Sequence, residues 1–277
     1  MKNIIILGGD QRMEYLAGYL HERGFSVYSY GLKDSISKPQ LLNILSDTEV
    51  TVILPLPVSR DNEYINMSKA YEGVSLAFLS EKLKCKDRVF GGMINSKIKN
   101  MFTQKDILIK DYYDEDFIVK NAYLTAKCMP EVIFENTGRD VKEMKVAVTG
   151  YGRTAKAIAA LLKPMGAKVL VSARSTEALE NAAKSGYSIC ALADLRCIAA
   201  GFDIIINTVP SLVIDENIIK VLTCKTCLID IASPPFGVDF DCAQKHGIKA
   251  VKALSLPGKY VPQEAGCIIG EKLKPLL

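Results

Sequence analysis

The sequence predicts an α/β protein with two doubly wound parallel-sheet domains that flank a cleft and are joined by a long helix. Short apolar runs rich in β-branched residues alternate with helical patterns along nearly the whole chain, which is typical of βαβ units. The alternation stops near the middle of the chain and then begins again, which indicates two sheets. The length of 277 residues is sufficient for two domains of ordinary size, each with its own core.

The first series of apolar runs predicts an N-terminal α/β domain over residues 1–113, on the substrate side of the cleft. Helical spacing is present at residues 13–22 and 94–102. Six strands are predicted in this domain, at residues 3–7, 25–30, 50–55, 75–79, 88–90 and 106–109.

Residues 114–140 are predicted to connect the domains through a long helix whose acidic first turn complements the helix dipole. The final stretch, 262–277, begins with Pro-Gln-Glu and predicts an apolar helix that packs back on the N-terminal domain. The segment between these two helices, residues 141–261, is predicted to form a second α/β domain. Its six predicted strands are at residues 145–149, 168–172, 188–190, 203–207, 227–230 and 249–253.

The charge pattern and composition exclude several classes of function. The 35 basic and 31 acidic residues are interspersed, which excludes a nucleic-acid partner. No apolar run approaches the roughly 18 residues of a membrane helix, and the first apolar segment is too short for a signal sequence. We expect a cytoplasmic protein without a membrane partner, and the eight scattered cysteines fit a reducing compartment. Cys224 and Cys227 have metal-ligand spacing but lack two further ligands, so no metal site is predicted.

A glycine-rich turn at the start of the second domain is the strongest chemical signal. An apolar strand ends in Gly-x-Gly-x-x-Ala, and a helical pattern follows at once. Such glycines permit a tight turn and let a pyrophosphate approach the helix N-terminus, as in Rossmann-like domains. We therefore predict that Gly150, Gly152, Arg153 and Thr154 bind a dinucleotide. The alternative is a tight turn without a ligand.

The end of the next strand indicates which dinucleotide binds. An NAD site has an acidic residue there, whereas this chain has Ser172, Ala173, Arg174 and Ser175. An arginine cannot accept a ribose hydroxyl, but its guanidinium group suits the 2′-phosphate of NADP, and both serines can donate to the same phosphate. NADP is therefore the predicted cofactor, with a solvated loop arginine as the alternative.

Two further loops follow strands of the second domain. Thr208, Val209 and Pro210 are predicted beside the nicotinamide, because that loop follows the fourth strand and faces the crevice at the strand ends. Asp230 ends the next strand. It is either a cap or turn residue or a polar group that faces the substrate, and we retain it as a catalytic candidate.

The first glycine-rich turn, at residues 8–12, lacks the spacing for a dinucleotide. Gly9, Asp10, Gln11 and Arg12 are instead predicted to bind a carboxylate through free backbone donors and the arginine. In the loop after the third strand, Pro57 and Ser59 are predicted to border the same crevice. Their alternative is a rigid connection rich in proline.

Candidates for acid–base chemistry are few. The two histidines, His21 and His246, fall in the last turns of predicted helices, where a cation favours the helix dipole, so both are interpreted as structural. Lys259, followed by Tyr260, is the leading candidate because its loop should lie at the domain junction. A solvated lysine is the alternative.

With these residues in place, the chain resembles the family of dipicolinate synthase A subunits from spore-forming bacteria. The resemblance extends nearly from end to end. It is carried by Gly8-Gly9-Asp10-Gln11-Arg12, Gly150-Tyr151-Gly152-Arg153, Asn207-Thr208-Val209-Pro210, Ala232-Ser233-Pro234 with Gly237-Val238-Asp239-Phe240, and Leu256-Pro257-Gly258-Lys259. One departure is Lys127, which stands where the family pattern has a carboxylate.

The resemblance implies an NADP-dependent oxidoreductase that helps to convert 4-hydroxy-tetrahydrodipicolinate to dipicolinate during sporulation. It also implies a flavoprotein-like B subunit as partner, with homo-oligomers left open. Arg12 with its turn would hold one carboxylate of the small dicarboxylate substrate, and Lys259 would hold the other or assist dehydration. Two alternatives are a non-catalytic NADP-binding scaffold or regulatory protein and an NADP-dependent oxidoreductase of the alanine or shikimate dehydrogenase type.

Overall fold

The protein is described by a computed structural model that covers residues 3–47 and 49–277. The chain forms two compact units. Unit 1 contains the residues up to Lys120 together with Pro257–Leu277, and unit 2 contains Asn121–Leu256. The C-terminal part of unit 1 thus begins at Pro257, five residues before the predicted helix at Pro262.

Unit 1 is built on a sheet of five parallel strands in the order β2-β1-β3-β4-β5. The strands are β1 (Asn3–Leu7), β2 (Val27–Tyr30), β3 (Val50–Ile53), β4 (Arg88–Gly91) and β5 (Leu108–Asp111). The helices are α1 (Gln11–His21), α2 (Lys38–Asp47), α3 (Leu76–Lys82) and α4 (Ser96–Thr103), and near the C-terminus α11 (Leu256–Tyr260) and α12 (Pro262–Leu273). The long helix α5 (Glu115–Thr137) confirms the predicted connection and spans the division between the units.

Both faces of the unit 1 sheet are buried, which explains why β1 is a continuous apolar run instead of an alternating one. Ile5 and Leu7 pack into the core on one face, and Ile4 and Ile6 pack into the core on the other. The second core also contains Ile269 of α12, so the C-terminal helix is part of unit 1, as predicted.

One predicted strand is wrong. Residues 75–79 begin helix α3, because the Ser75 hydroxyl accepts a hydrogen bond from the Phe78 N–H at 3.1 Å and so caps the helix N-terminus. Leu76, Leu79 and Ser80 are buried at helical spacing. A short apolar run of this length fits a strand or a buried helix equally well. Unit 1 therefore has five strands among its described residues. Likewise, the stretch around Lys259, which was predicted as a loop, contains the short helix α11.

Unit 2 has a sheet of six parallel strands in the order β11-β10-β9-β6-β7-β8, which is the doubly wound arrangement of a Rossmann domain. The strands are β6 (Lys145–Thr149), β7 (Lys168–Ala173), β8 (Ser188–Ala191), β9 (Ile204–Asn207), β10 (Cys227–Asp230) and β11 (Lys249–Lys252). The helices are α6 (Arg153–Leu162), α7 (Thr176–Lys184), α8 (Leu195–Ile198), α9 (Glu216–Ile219) and α10 (Phe240–Lys245). All six strands predicted here are present, with ends that differ by one residue at most.

Both histidines lie at helix ends. His21 is the last residue of α1, and His246 follows α10 as its C-cap, with Nδ1 3.0 Å from the carbonyl oxygen of Cys242. Their positions agree with the predicted structural role. No helix in the described part of the chain has both the length and the apolar character needed to cross a membrane.

The packing of α12 on α1 depends on two glycines. A Cβ atom on Gly266 would lie 2.5 Å from the carbonyl oxygen of Arg12, and one on Gly270 would lie 2.3 Å from the Tyr19 ring. Neither position leaves room for a side chain, so the two helix backbones approach closely.

We expect Gly266→Ala to lower the free energy of unfolding by about 1–3 kcal/mol, because the added methyl group forces α12 away from α1. The matched control is Gly18→Ala in the interior of α1, where an added Cβ has no atom within 4 Å. That change should raise stability by about 0.5–1 kcal/mol. Urea denaturation followed by circular dichroism measures both changes. Equal stability of the two variants would contradict this account of the helix contact.

Candidate functional site

The carboxyl edge of the unit 2 sheet carries a chain of buried polar side chains. The Thr149 hydroxyl donates to Asn207 Oδ1 at 2.6 Å, and Asn207 Nδ2 donates to Asp230 Oδ1 at 2.8 Å. All three residues are fully buried, and they are register neighbours at the ends of β6, β9 and β10. The β6–β9 pair is the point at which the strand order reverses, where doubly wound sheets bind their ligands.

The first glycine of the predicted dinucleotide turn is required by the fold itself. Gly150 has φ +85°, and its N–H donates to the carbonyl oxygen of Ser172 at 2.7 Å. A Cβ atom there would lie 2.8 Å from Thr208 Oγ1 and 3.0 Å from Val209. The Thr208 hydroxyl in turn donates to the carbonyl oxygen of Thr149 at 2.7 Å. The loops after β6 and β9 are therefore held directly against each other.

The second glycine has no such constraint. Gly152 has the ordinary φ of −77°, and an added Cβ would have no atom within 4 Å. It precedes α6, which begins at Arg153 and Thr154 without a side-chain cap. The turn therefore combines open space with uncapped backbone N–H groups at a helix N-terminus, which suits a pyrophosphate. On this observation, the residues present fit a dinucleotide.

The end of β7 divides the predicted NADP residues into two groups. Ser172 and Ala173 are buried, and Ser172 Oγ has no hydrogen-bond partner among the described residues. Arg174 and Ser175 are exposed. Ser175 caps α7 by accepting from the Ala178 N–H at 3.3 Å, whereas the Arg174 guanidinium group has no partner in the described chain. A phosphate at the surface would thus meet Arg174 and Ser175. Ser172, which was also expected to donate to it, has its side chain below the surface.

Asp230 is positioned to support the loops. Its carboxylate is fully buried and accepts four hydrogen bonds, from Asn207 Nδ2 and the Ala232 N–H on Oδ1 and from the Gly237 and Val238 N–H groups on Oδ2. The distances lie between 2.8 and 3.1 Å. This geometry favours the interpretation of Asp230 as a turn residue over that of a catalytic residue, because donors of the chain itself already bind both oxygens of its carboxylate.

In unit 1, the expectation of free backbone donors at the first glycine turn is wrong for Gly9 and Arg12, whose N–H groups are bonded within the chain. Gly8 and Gly9 have positive φ, and their N–H groups donate at 2.8 Å to the carbonyl oxygens of Tyr30 and Asn66, respectively. The segment that contains Asn66 is remote in sequence and lies over the turn. The N–H groups of both glycines, including the predicted Gly9, are therefore already used.

Asp10 already occupies the N-terminus of α1. Its Oδ1 accepts from the Arg12 N–H at 3.1 Å, and its carboxylate forms a bidentate pair with Arg12 Nε and Nη2 at 2.8 Å each. Arg12 Nη2 also donates to the carbonyl oxygen of Leu56 at 2.7 Å. The protein thus provides its own carboxylate at the helix N-terminus, and the nearly buried arginine is neutralised by it.

The other predicted substrate residues after β3 shape their own loop. The Ser59 hydroxyl donates to Asp61 Oδ1 at 2.9 Å and accepts from the Asn62 N–H at 2.9 Å. Backbone N–H groups of Tyr64 and Glu63 and the Ser59 hydroxyl lower the pKa of Asp61. Pro57 is half-buried in the same loop. This arrangement agrees with the structural alternative for Ser59.

Lys259 lies in unit 1, in the last turn of α11. A Cβ atom on the preceding Gly258 would lie 3.0 Å from Asp10 Oδ2 and 3.1 Å from Arg12 Nε, so this helix packs on the Asp10–Arg12 pair. The Lys259 side chain is exposed and has no partner in the described residues. Lys127, the departure from the family pattern, is exposed on α5.

A cavity of about 520 Å³ lies at the carboxyl ends of β1, β2 and β3 in unit 1. The predicted residues Gly9, Asp10, Gln11 and Arg12 line it. The prediction missed other polar residues of its wall, namely Glu14, Lys33, Arg60, Asn66, Ser68 and Tyr71. Lys33 follows β2 by three residues and Arg60 lies in the loop after β3, so their positions after predicted strands were a signal for them. Asn66, Ser68 and Tyr71 belong to a segment whose course the sequence does not indicate.

Comparison with known proteins agrees with this architecture. Residues 3–113 match the family model of the N-terminal domain of the dipicolinate synthase A subunit. Residues 121–228 match that of the D-isomer specific 2-hydroxyacid dehydrogenase, NAD binding domain. Fold and site together define a two-domain α/β protein with a Rossmann-type NAD-binding domain.

The individual relatives identify the family. The dipicolinate synthase A subunit of Bacillus subtilis (strain 168) is 31% identical over 288 residues, which cover 99% of this chain and 95% of that protein. The crystal structure of the Bacillus halodurans A subunit is 25% identical with a TM-score of 0.86, covering 99% of this chain and 97% of that one. The Bacillus subtilis structure is 27% identical with a TM-score of 0.82, covering 99% and 95%. The chain belongs to the family of dipicolinate synthase A subunits.

We expect Asp230→Ala to lower the free energy of unfolding by about 3–5 kcal/mol, because four buried donors lose their acceptor. Asp239→Ala is the matched control: within the described residues the Asp239 side chain accepts one helix-capping bond, from the Cys242 N–H, and its loss should cost about 1 kcal/mol. The chain has no tryptophan, so circular dichroism is the appropriate signal for urea denaturation. Equal losses in the two variants would show that Asp230 has no special supporting role.

Proposed function

We propose that this chain is a catalytic component of dipicolinate synthase that binds NADP in unit 2. It would act in the cytoplasm during sporulation, together with a flavoprotein-like B subunit, on the conversion of 4-hydroxy-tetrahydrodipicolinate to dipicolinate. The observation that supports this proposal best is the turn at Gly152, where open space and an uncapped helix coincide, followed at the end of β7 by the unpaired Arg174.

Different residues of unit 2 would bind different parts of the cofactor. The N-terminal turn of α6 would receive the pyrophosphate, and Arg174 with Ser175 would receive the phosphate on the ribose. Thr208, Val209 and Pro210 would line the nicotinamide end, since the loop after β9 faces the same edge of the sheet. Asn207 would hold that loop in place through its two hydrogen bonds with the backbone of Val209, and Asp230 would in turn hold Asn207.

The reaction removes one water and two electrons from the substrate and produces an aromatic pyridine ring with two carboxylates. Oxidised NADP held by unit 2 would supply the hydride acceptor for the two-electron step. Lys259 is the proposed proton carrier for the loss of water, because its exposed amine has no partner in the described residues and lies in the helix that packs on Asp10 and Arg12.

One observation favours a second candidate, a non-catalytic protein that binds NADP and positions a flavoprotein partner. The two carboxylates predicted at the sites, Asp10 and Asp230, are both engaged by other groups of this chain. Neither is available as a general base in this arrangement.

We expect Arg174→Gln to weaken NADP binding by roughly 10- to 100-fold, since it removes charge-assisted hydrogen bonds to the 2′-phosphate. Binding of NAD should hardly change. Lys184→Gln at the opposite end of α7 is the matched control and should leave both affinities unchanged. Gly152→Val, which fills the open space, should weaken both dinucleotides. Titration calorimetry measures the NAD and NADP affinities of the wild-type chain and the three variants. Equal affinity of the wild-type chain for NAD and NADP would contradict the cofactor assignment.

We expect the purified chain, mixed with its B-subunit partner, to form dipicolinate and NADPH in equal amounts, and Lys259→Gln to reduce the rate at least about tenfold without changing NADP affinity. Stopped absorbance assays measure both products. Lys274→Gln, a change of another C-terminal lysine, should be without effect. Dipicolinate formation without any change in NADP would favour the non-catalytic role, whereas an undiminished rate in Lys259→Gln would remove only the role assigned to Lys259.

A further inference from the structure

We propose that Lys33 and Arg60, in the unit 1 cavity, recognise the two carboxylates of the substrate, in place of the Arg12 turn that the sequence favours. This inference rests on the proposed function, because it takes the ligand to be a small dicarboxylate. It adds a binding site and assigns two residues to it.

The position of the cavity supports a ligand site. The unit 1 sheet has the order β2-β1-β3-β4-β5, so the chain reverses direction across the sheet between β1 and β3. Ligands of open α/β sheets bind outside the carboxyl ends of the strands at this point. The cavity is lined by residues that follow β1, β2 and β3, and its volume of about 520 Å³ is ample for a substituted six-membered ring.

The Arg12 turn is a poor receptor for an added carboxylate. Arg12 is paired with Asp10 through two hydrogen bonds and gives a third to the carbonyl oxygen of Leu56. The N–H of Gly9 is bonded to Asn66. A substrate carboxylate placed at the N-terminus of α1 would meet the Asp10 carboxylate, and two like charges in contact repel each other.

Lys33 and Arg60 differ from Arg12 in being unpaired. Both line the cavity and both are exposed, and neither charged group has an ion-pair or hydrogen-bond partner in the part of the chain that the structure describes. The other charged groups of the wall are Asp10 and Arg12, which neutralise each other, and Glu14. Glu14 Oε1 accepts from the backbone N–H of Lys33 at 3.2 Å and so fixes the chain at that residue.

The loop that carries Arg60 is held by backbone hydrogen bonds. The Asn66 N–H donates to the carbonyl oxygen of Val58 at 2.8 Å, and the Ile65 N–H donates to that of Val74 at 3.0 Å. Ser68 and Tyr71 in the same segment add hydroxyl groups to the wall. The wall thus offers two free cations and neutral hydroxyl donors, which are the groups that two ligand carboxylates need in place of water.

The test uses the full-length chain, with dipicolinate and the monocarboxylate picolinate as probes in titration calorimetry. Arg60→Gln and Lys33→Gln should each weaken dipicolinate binding about tenfold or more, and the double variant should bind dipicolinate no better than picolinate. Lys69→Gln is the matched control, because Lys69 is an exposed neighbour that does not line the cavity.

NADP affinity and the urea midpoint, measured on the same variants, should stay at their wild-type values. Dipicolinate affinity that is unchanged in the double variant, or no dipicolinate binding by the wild-type chain, would overturn the assignment. Turnover and NADP binding of the wild-type chain test the proposed function separately. If the wild-type chain turns over and the variants keep their dipicolinate affinity, this inference is wrong and the proposed function still stands.

Discussion

The candidate cofactor site depends on the buried hydrogen-bond chain Thr149–Asn207–Asp230 at the carboxyl edge of the unit 2 sheet. A carboxylate without solvent exposure is costly unless each lone pair is occupied, and here four donors occupy them. Three of these donors are backbone N–H groups of the loop after β10, and the fourth is the side-chain amide of Asn207 at the end of β9. The network therefore fixes the loops after both strands, and the glycine turn after β6 rests on one of them.

The two units use an aspartate in different ways at the point where the strand order reverses. In unit 1, Asp10 caps α1, so the positive end of that helix is neutralised by the chain itself. In unit 2, Asp230 supports the loops from the side, and α6 begins without a side-chain cap. The N-terminus of α1 is thus occupied by a carboxylate of the chain, whereas the N-terminus of α6 is left free for an anionic ligand. This difference in helix capping distinguishes the two glycine turns more reliably than the spacing of their glycines does.

The sequence predicted the fold well because periodicity is a local property. Each strand buried on both faces is a continuous apolar run, and ten of the twelve predicted strands have nearly the observed bounds; residues 106–109 were placed two residues early, and residues 75–79 form a helix. The site was predicted less well, because hydrogen-bond partners are not local. Nothing near Gly9 indicates that Asn66 takes its N–H, and nothing near Asp230 indicates that Gly237 and Val238 donate to it. The sequence indicates which residues lie at the strand ends, but it does not indicate which of their polar groups are already used within the chain.

The Gly-x-Gly-x-x-Ala motif shows how one short pattern contains two kinds of evidence. Gly150 has a positive φ and faces Thr208 and Val209, so the protein needs it whether or not a ligand binds. Gly152 has an ordinary φ and faces open space, so neither backbone conformation nor packing within the chain explains the absence of a side chain. A tight turn without a ligand would require only the first glycine. The second leaves open space at the uncapped end of α6, which is what the proposed pyrophosphate site requires.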